Sequence, residues 1–301
     1  MRMKKSWYVL MAVVLTCCGK KKAEEADFQT NECRQWPAFA TGVGFPGGAG
    51  SAFSTSDKKH IGLLLVHTGD TVFYQHPSWK KAGWLAPIQL DKYGNLYTAP
   101  APFINVLNNP TDSQNIVYKV DKITGEMTAF ASLPVPGKTN NQNPYGILGL
   151  CYLCEQDLLY VSSVGGSTRE KEAGGIYCLN AEGKIKDRIT GFDAFGIGIC
   201  YIEGKRKLYF GKARSSEIYS VPLTAKGEFA GTPELAVSLE GLGPRGDDKA
   251  KKIRFSAKGD MIVDGFEFNF NLIASTEKPS TTYYFRYGVN TEKWLPVEAP
   301  Q

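Results

Sequence analysis

An ordered pair of β-type segments recurs five times along this chain, which confines it to architectures built by repetition. The first member reads Gly62-Leu63-Leu64-Leu65-Val66, Asn95-Leu96-Tyr97, Leu159-Tyr160-Val161, Leu208-Tyr209-Phe210 and Met261-Ile262-Val263. The second follows each time as Val72-Phe73-Tyr74, Ile116-Val117-Tyr118, Gly175-Ile176-Tyr177, Ile218-Tyr219-Ser220 and Tyr283-Tyr284-Phe285. Repeats of this size build blades or solenoid turns, because one unit cannot bury its own apolar face. The 32 glycines and 12% aromatics suit short strands joined by tight turns. The expected fold is therefore all-β, a β-propeller of four-stranded antiparallel blades with helix in the minority. Five repeats are visible, and residues 28 to 60 could add strands, complete the last blade or make a sixth. Closure of the ring is expected, because an open edge exposes unpaired backbone.

The third repeat sets the ruler: strands near Gly149 to Cys154, Leu158 to Ser163, Gly175 to Leu179 and Ile185 to Thr190. Turns between first and second strands, such as Asp91-Lys92-Tyr93-Gly94-Asn95, are short, and so are those between third and fourth, such as Asn180-Ala181-Glu182-Gly183-Lys184. Antiparallel geometry puts both sets on one face. The opposite face then carries the long connections, including 98 to 115, 133 to 145, 163 to 174, 239 to 249 and 264 to 281. Long loops on a rigid scaffold are where binding concentrates. From them come the candidate ligand-binding residues Asn105, Asn143, Tyr145, Asp193, Phe195, Arg214, Arg245, Asp247 and Phe268. Amides and charges beside aromatic rings suit a hydroxylated ligand such as a glycan, or a peptide or protein surface.

The first residues read as a processing segment. Arg2, Lys4 and Lys5 precede an apolar run from Trp7 to Thr16, too short to span a membrane, and Leu15-Thr16-Cys17-Cys18-Gly19 follows. That ending resembles the lipobox of bacterial lipoproteins and implies lipidation of Cys18, with Cys17 the alternative. Residues 1–17 are then the signal peptide, 18–27 a polar tether and 28–301 one propeller domain. The expected address is the cell envelope, at the outer membrane or the periplasmic face, with the membrane engaged through the lipid. Formal charge falls from +5 to +2 once residues 1–17 are removed, which excludes a nucleic-acid partner on charge.

Five cysteines remain beyond the anchor. Cys151-Tyr152-Leu153-Cys154 has a zinc-like spacing, but Gly149-Leu150-Cys151 aligns with Gly198-Ile199-Cys200, and strand alternation points Cys151 and Cys154 to opposite faces. Cys151, Cys178 and Cys200 are thus expected as small buried residues. Cys33 is left to pair with one of them, and the sequence does not say which.

Pro87-Ile88-Gln89-Leu90-Asp91-Lys92-Tyr93-Gly94-Asn95-Leu96-Tyr97, continued by Ile116-Val117-Tyr118-Lys119-Val120-Asp121 and Gly125, resembles an NHL-type propeller repeat. Asn143-Pro144-Tyr145-Gly146 with Leu159-Tyr160-Val161 is similar. The wider superfamily includes the SMP-30/gluconolactonase-like enzymes, which hold a divalent cation such as calcium at the channel mouth with Glu, Asn and Asp. This resemblance implies Asn143, Asp193 and Asp247 as metal ligands. No glutamate stands near the first repeat, where the chain has Gly44-Phe45-Pro46-Gly47-Gly48.

Other motifs carry less. Gly42-Val43-Gly44-Phe45-Pro46-Gly47 matches a dinucleotide fingerprint but has proline where a helix should start. The three histidines, His60, His67 and His76, all lie in the first repeat, and Arg245-Gly246-Asp247 reads as a charged loop. There is no Gly-x-Ser-x-Gly elbow, and no catalytic residue is assigned. Three functions stay open: a binding module for a glycan, peptide or protein; a metal-dependent lactonase or related hydrolase; and an envelope scaffold.

Overall fold

The computed structural model describes residues 27–56, 59–69, 72–103, 106–136, 142–272 and 279–299. Its architecture is a five-blade, all-β propeller. Blade 1 has three strands, β2 (Ser51–Ser54), β3 (Leu64–His67) and β4 (Phe73–Tyr74). Blade 2 comprises β5 (Leu85–Leu90), β6 (Leu96–Pro100), β7 (Ile116–Val120) and β8 (Met127–Ser132). Blade 3 comprises β9 (Ile147–Leu153), β10 (Leu158–Ser163), β11 (Gly175–Leu179) and β12 (Ile185–Thr190). Blade 4 contains β13 (Ala194–Ile202), β14 (Lys205–Lys212), β15 (Glu217–Pro222) and β16 (Glu234–Ser238); blade 5 contains β17 (Lys249–Phe255), β18 (Asp260–Phe266), β19 (Thr281–Gly288) and β20 (Lys293–Val297). Each recurrent pair seen in the sequence is the second and third strand of a blade. The ring has five blades, not six.

Residues 28 to 60 add strands, as one expectation had it, but neither complete the last blade nor make a sixth. The short strand β1 (Phe28–Thr30) adds to the inner edge of blade 4, pairing with Cys200–Ile202 of β13. The chain then runs as a strap across the short-turn face. Phe28 packs on Phe255 and Trp294 of blade 5. Asn31 exchanges hydrogen bonds with the backbone of Tyr152 and Cys154 in blade 3. Gln35 N donates to Asp91 O at the first turn of blade 2. Finally the helix α1 (Ala38–Gly42) brings Phe39 against Trp79 and Phe53 beside blade 1. The face read as merely trimmed is covered.

A disulfide between Cys33 and Cys154, 121 residues apart, fastens the strap. The expected partners Cys151, Cys178 and Cys200 are not used, and Cys33 pairs with Cys154 instead. Alternation explains it: Cys151 faces the apolar layer between blades 3 and 4, and Cys154 faces the layer between blades 2 and 3. Cys151, Cys178 and Cys200 are buried and free, and burial pushes the Cys151 and Cys178 thiols up to about 12.

Apolar clusters fill four of the joints, between blades 1 and 2, 2 and 3, 3 and 4, and 4 and 5. Glycines let the inner strands converge near the axis. A Cβ on Gly196 would lie 2.5 Å from the Lys251 carbonyl oxygen, and one on Gly149 would lie 2.6 Å from the Phe195 carbonyl oxygen. The joint between blades 5 and 1 is unlike the others. The flank of blade 5 turned from blade 4 carries Lys252, Arg254, Asp264, Thr282 and Arg286 beside Ile262 and Tyr284, and among the described residues no apolar cluster spans it.

The turn in the NHL-like stretch shows what its residues do. Asp91 is buried and accepts from Tyr93 N, Asn95 N and Asn95 Nδ2, each at 2.8 Å, so it ties the hairpin that Gly94 closes at φ +91°.

Candidate functional site

The inner strands of all five blades surround a central cavity of about 1080 Å³. At its short-turn end the strap contributes Thr30 to Arg34 and Trp36. At its long-loop end stands an aromatic collar of Trp84, Phe103, Tyr145, Phe195, Phe266 and Phe268. These rings hold one another: Phe195 lies 4.9 Å from Phe268 and 5.4 Å from Phe266, Tyr145 lies 5.2 Å from Phe268, and Trp84 lies 5.2 Å from Phe103. Such edge-and-tilt packing fixes ring positions, with Phe195 and Phe268 buried behind Trp84, Phe103, Tyr145 and Phe266, which are half-buried. Tyr145 donates its hydroxyl to Asn271 O at 3.0 Å, and burial pushes its pKa up to about 12, so it stays protonated.

Of the sequence candidates, Tyr145, Phe195 and Phe268 line this cavity. Asn105 lies outside the described residues. The remaining five build the loops rather than the cavity wall. Asn143 donates to Val164 O at 2.7 Å and accepts from Tyr145 N at 2.9 Å, an arrangement that sets the approach of Tyr145 to the collar. Asp193 is fully buried and meets Arg214 Nε at 2.6 Å, with Ser167 Oγ and Gly174 N as further donors. Arg214 also donates to the carbonyls of Thr168, Arg169 and Lys171, and lies 5.0 Å from the Phe270 ring. It fastens loop 164–174 behind the collar. Arg245 pairs with buried Asp248 at 2.5 and 2.7 Å, not with Asp247, whose side chain is exposed.

These placements do not fit the implied metal set. A cation ligand needs a free oxygen facing the ion. The Asn143 oxygen accepts a backbone N–H, Asp193 is held by a guanidinium, and Asp247 stands apart from the cavity lining. Among the described residues no three His, Cys, Asp or Glu side chains gather as a metal cluster. Polar candidates drawn from loops prove structural because a long loop must satisfy its own backbone where it is buried.

Sequence reasoning missed the charged wall of the cavity. Glu32, Arg34, Lys251, Lys252, Arg254 and Asp264 all line it. Arg254 Nη2 meets both oxygens of Asp264 at 2.7 Å, and Thr282 Oγ1 adds a bond of 3.0 Å. Lys251 Nζ lies 5.1 Å from the Phe266 ring centre. Partial desolvation by the surrounding wall pulls both lysines below their ordinary range although their side chains keep solvent access, opposed at Lys251 by Asp264 and reinforced at Lys252 by Arg254. A signal was present in the sequence. The first strands of blades 3 and 4 read Ile147-Leu148-Gly149-Leu150-Cys151 and Ala194-Phe195-Gly196-Ile197-Gly198, whereas that of blade 5 reads Lys249-Ala250-Lys251-Lys252-Ile253-Arg254-Phe255.

No protein-family model matches the chain, and no curated protein matches it. Solved structures similar to it include the xyloglucan PUL protein GH43B of Bacteroides ovatus, at 14% identity over 69% of this chain and 39% of that one, with a TM-score of 0.39. The Pseudomonas aeruginosa periplasmic gluconolactonase is 14% identical over 63% of this chain and 53% of its own, with a TM-score of 0.38. An exo-beta-1,3-galactanase from Phanerochaete chrysosporium is 10% identical over 90% and 67%, with a TM-score of 0.48. This chain thus spans well under two thirds of the length of the first two. Likeness at these values carries no information on activity.

Proposed function

We propose that this protein is an exported, lipid-anchored binding module that takes its ligand into the central cavity from the long-loop face. One observation carries the reading: a roomy cavity, crossed at one end by the strap, opens at the other through a collar of mutually braced aromatic rings. Its volume matches that of small-ligand sites, which combine apolar walls with a few polar groups. Sugar rings and peptides both present apolar faces that such a collar accepts. The lipid on Cys18 would leave the chain near Asp27, which is bonded to Glu203 on the strap side, so the collar would point away from the membrane. A metal-dependent hydrolase is less well supported, because the groups it needs are engaged by protein partners. An envelope scaffold would leave the cavity unused.

Two experiments test the proposal. Labelled palmitate fed to expressing bacteria should be incorporated into the chain, and Cys18→Ala should abolish incorporation. Trp84→Ala, screened with the wild type against immobilised glycans and peptides, should lose whatever the wild type binds by at least about 10-fold, as for a central aromatic contact. A wild type that binds neither class would refute the binding-module reading.

A further inference from the structure

We infer that the cavity selects saccharides bearing carboxylates, with Lys251 and Lys252 as the groups that recognise the acid. This rests on the reading of the cavity as a ligand site. Three observations point to it.

The first is the balance of charge along the cavity wall. Arg254 is neutralised by Asp264 at 2.7 Å, and Arg34 faces Glu32 at 3.6 Å. Lys251 and Lys252 are the two cations left over, and among the described residues neither has a carboxylate at salt-bridge distance. Both lysines stand exposed on the cavity wall with no carboxylate of their own, so a bound anion would gain two partners without an existing ion pair having to break.

The second is backbone geometry. Consecutive strand residues normally face opposite sides, which would send one of these lysines into the apolar joint with blade 4. A bulge falls between Ala250 and Lys252, where the pairing with β18 slips by one residue. It returns Ala250 to the apolar joint, alongside Ile253 and Phe255, and leaves both lysines on the cavity wall.

The third is the proximity of charge to the collar. With its ammonium 5.1 Å from the Phe266 ring centre, Lys251 sits where a carboxylate would project from a sugar stacked on the aromatic faces. A neutral sugar would leave the pair without a counter-ion. A bare anion would not use the collar.

Isothermal titration calorimetry on the full-length chain in detergent, at low salt to limit screening, tests this with trigalacturonate and triglucuronate, their neutral methyl esters, and inorganic sulfate. One acid should bind at least 10-fold more tightly than its own ester and than sulfate. Lys251→Met with Lys252→Met should bring the acid down to the ester's affinity, and the double arginine variant should keep the preference. The methionine variant should melt close to the wild-type temperature, since both lysines are exposed and hold no ion pair. An ester that binds as tightly as its acid would overturn the inference while leaving the cavity as a ligand site. Undiminished preference in the methionine variant would also overturn it, as would sulfate binding as well as the acids. If neither acids nor esters bind, both the inference and the reading beneath it fall.

Discussion

Asp193 shows how a residue chosen for chemistry turns out to hold a loop. Its carboxylate is fully buried against Arg214, whose other donors clasp three carbonyls of the loop behind the collar. Asp193→Ala would strand that guanidinium, and we expect a loss of about 3 kcal/mol in urea unfolding, the usual result of halving a buried pair. Asp248 makes a pH-dependent contribution. Burial pushes its carboxyl up, but Arg245 at 2.5 and 2.7 Å and Tyr283 at 2.7 Å outweigh burial and hold it below the usual range. A depressed folded pKa gives stability that is present above the unfolded value of about 3.9 and is lost as pH falls through the folded value. Unfolding free energy should therefore decline below about pH 4, and Asp248→Asn should flatten that decline. The sequence identified Asp193, Arg214 and Arg245 as notable but could not show that their charges face one another. Pairing across 21 residues, as between Asp193 and Arg214, leaves no local periodicity.

The inner strands were legible to the degree that they obey alternation. The cysteine positions of β9 and β13 align in sequence and lie buried in consecutive joints, with Cys151 and Cys200 both free. β17 breaks the rule through its bulge, and a bulge has no sequence mark unless the apolar positions are counted: Ala250, Ile253 and Phe255 are three and two apart, not two and two. Glycine on β13 is a spatial requirement of the same kind. Gly196→Ala would set a methyl 2.5 Å from the backbone of Lys251, which cannot swing away as a side chain can. We expect a cost of about 1–3 kcal/mol, read as a lower melting temperature, typical of overpacking. Moving β17 would also displace the lysines, so any ligand should bind more weakly.

Propeller class and blade architecture could be read from the five recurrent pairs because repetition is a property of the sequence itself. The strap could not, because it is used once and its partners are scattered over all five blades. Ring closure was the expectation, and four joints meet it with apolar clusters. At the polar fifth joint, the strap is the element that reaches both sides, with Phe28 on blade 5 and Phe39 beside blade 1. Removing the disulfide by Cys33→Ser should therefore cost more than a surface cross-link would. Freeing a loop on the order of 100 residues is worth about 4 kcal/mol, or roughly 10 °C in melting temperature by calorimetry. The placement of that bond also has a mechanical consequence. Tension applied at the N-terminus can peel away residues 27 to 32, and with them the Phe28 contact on blade 5, before it meets a covalent stop at Cys33, from which the load passes directly into blade 3.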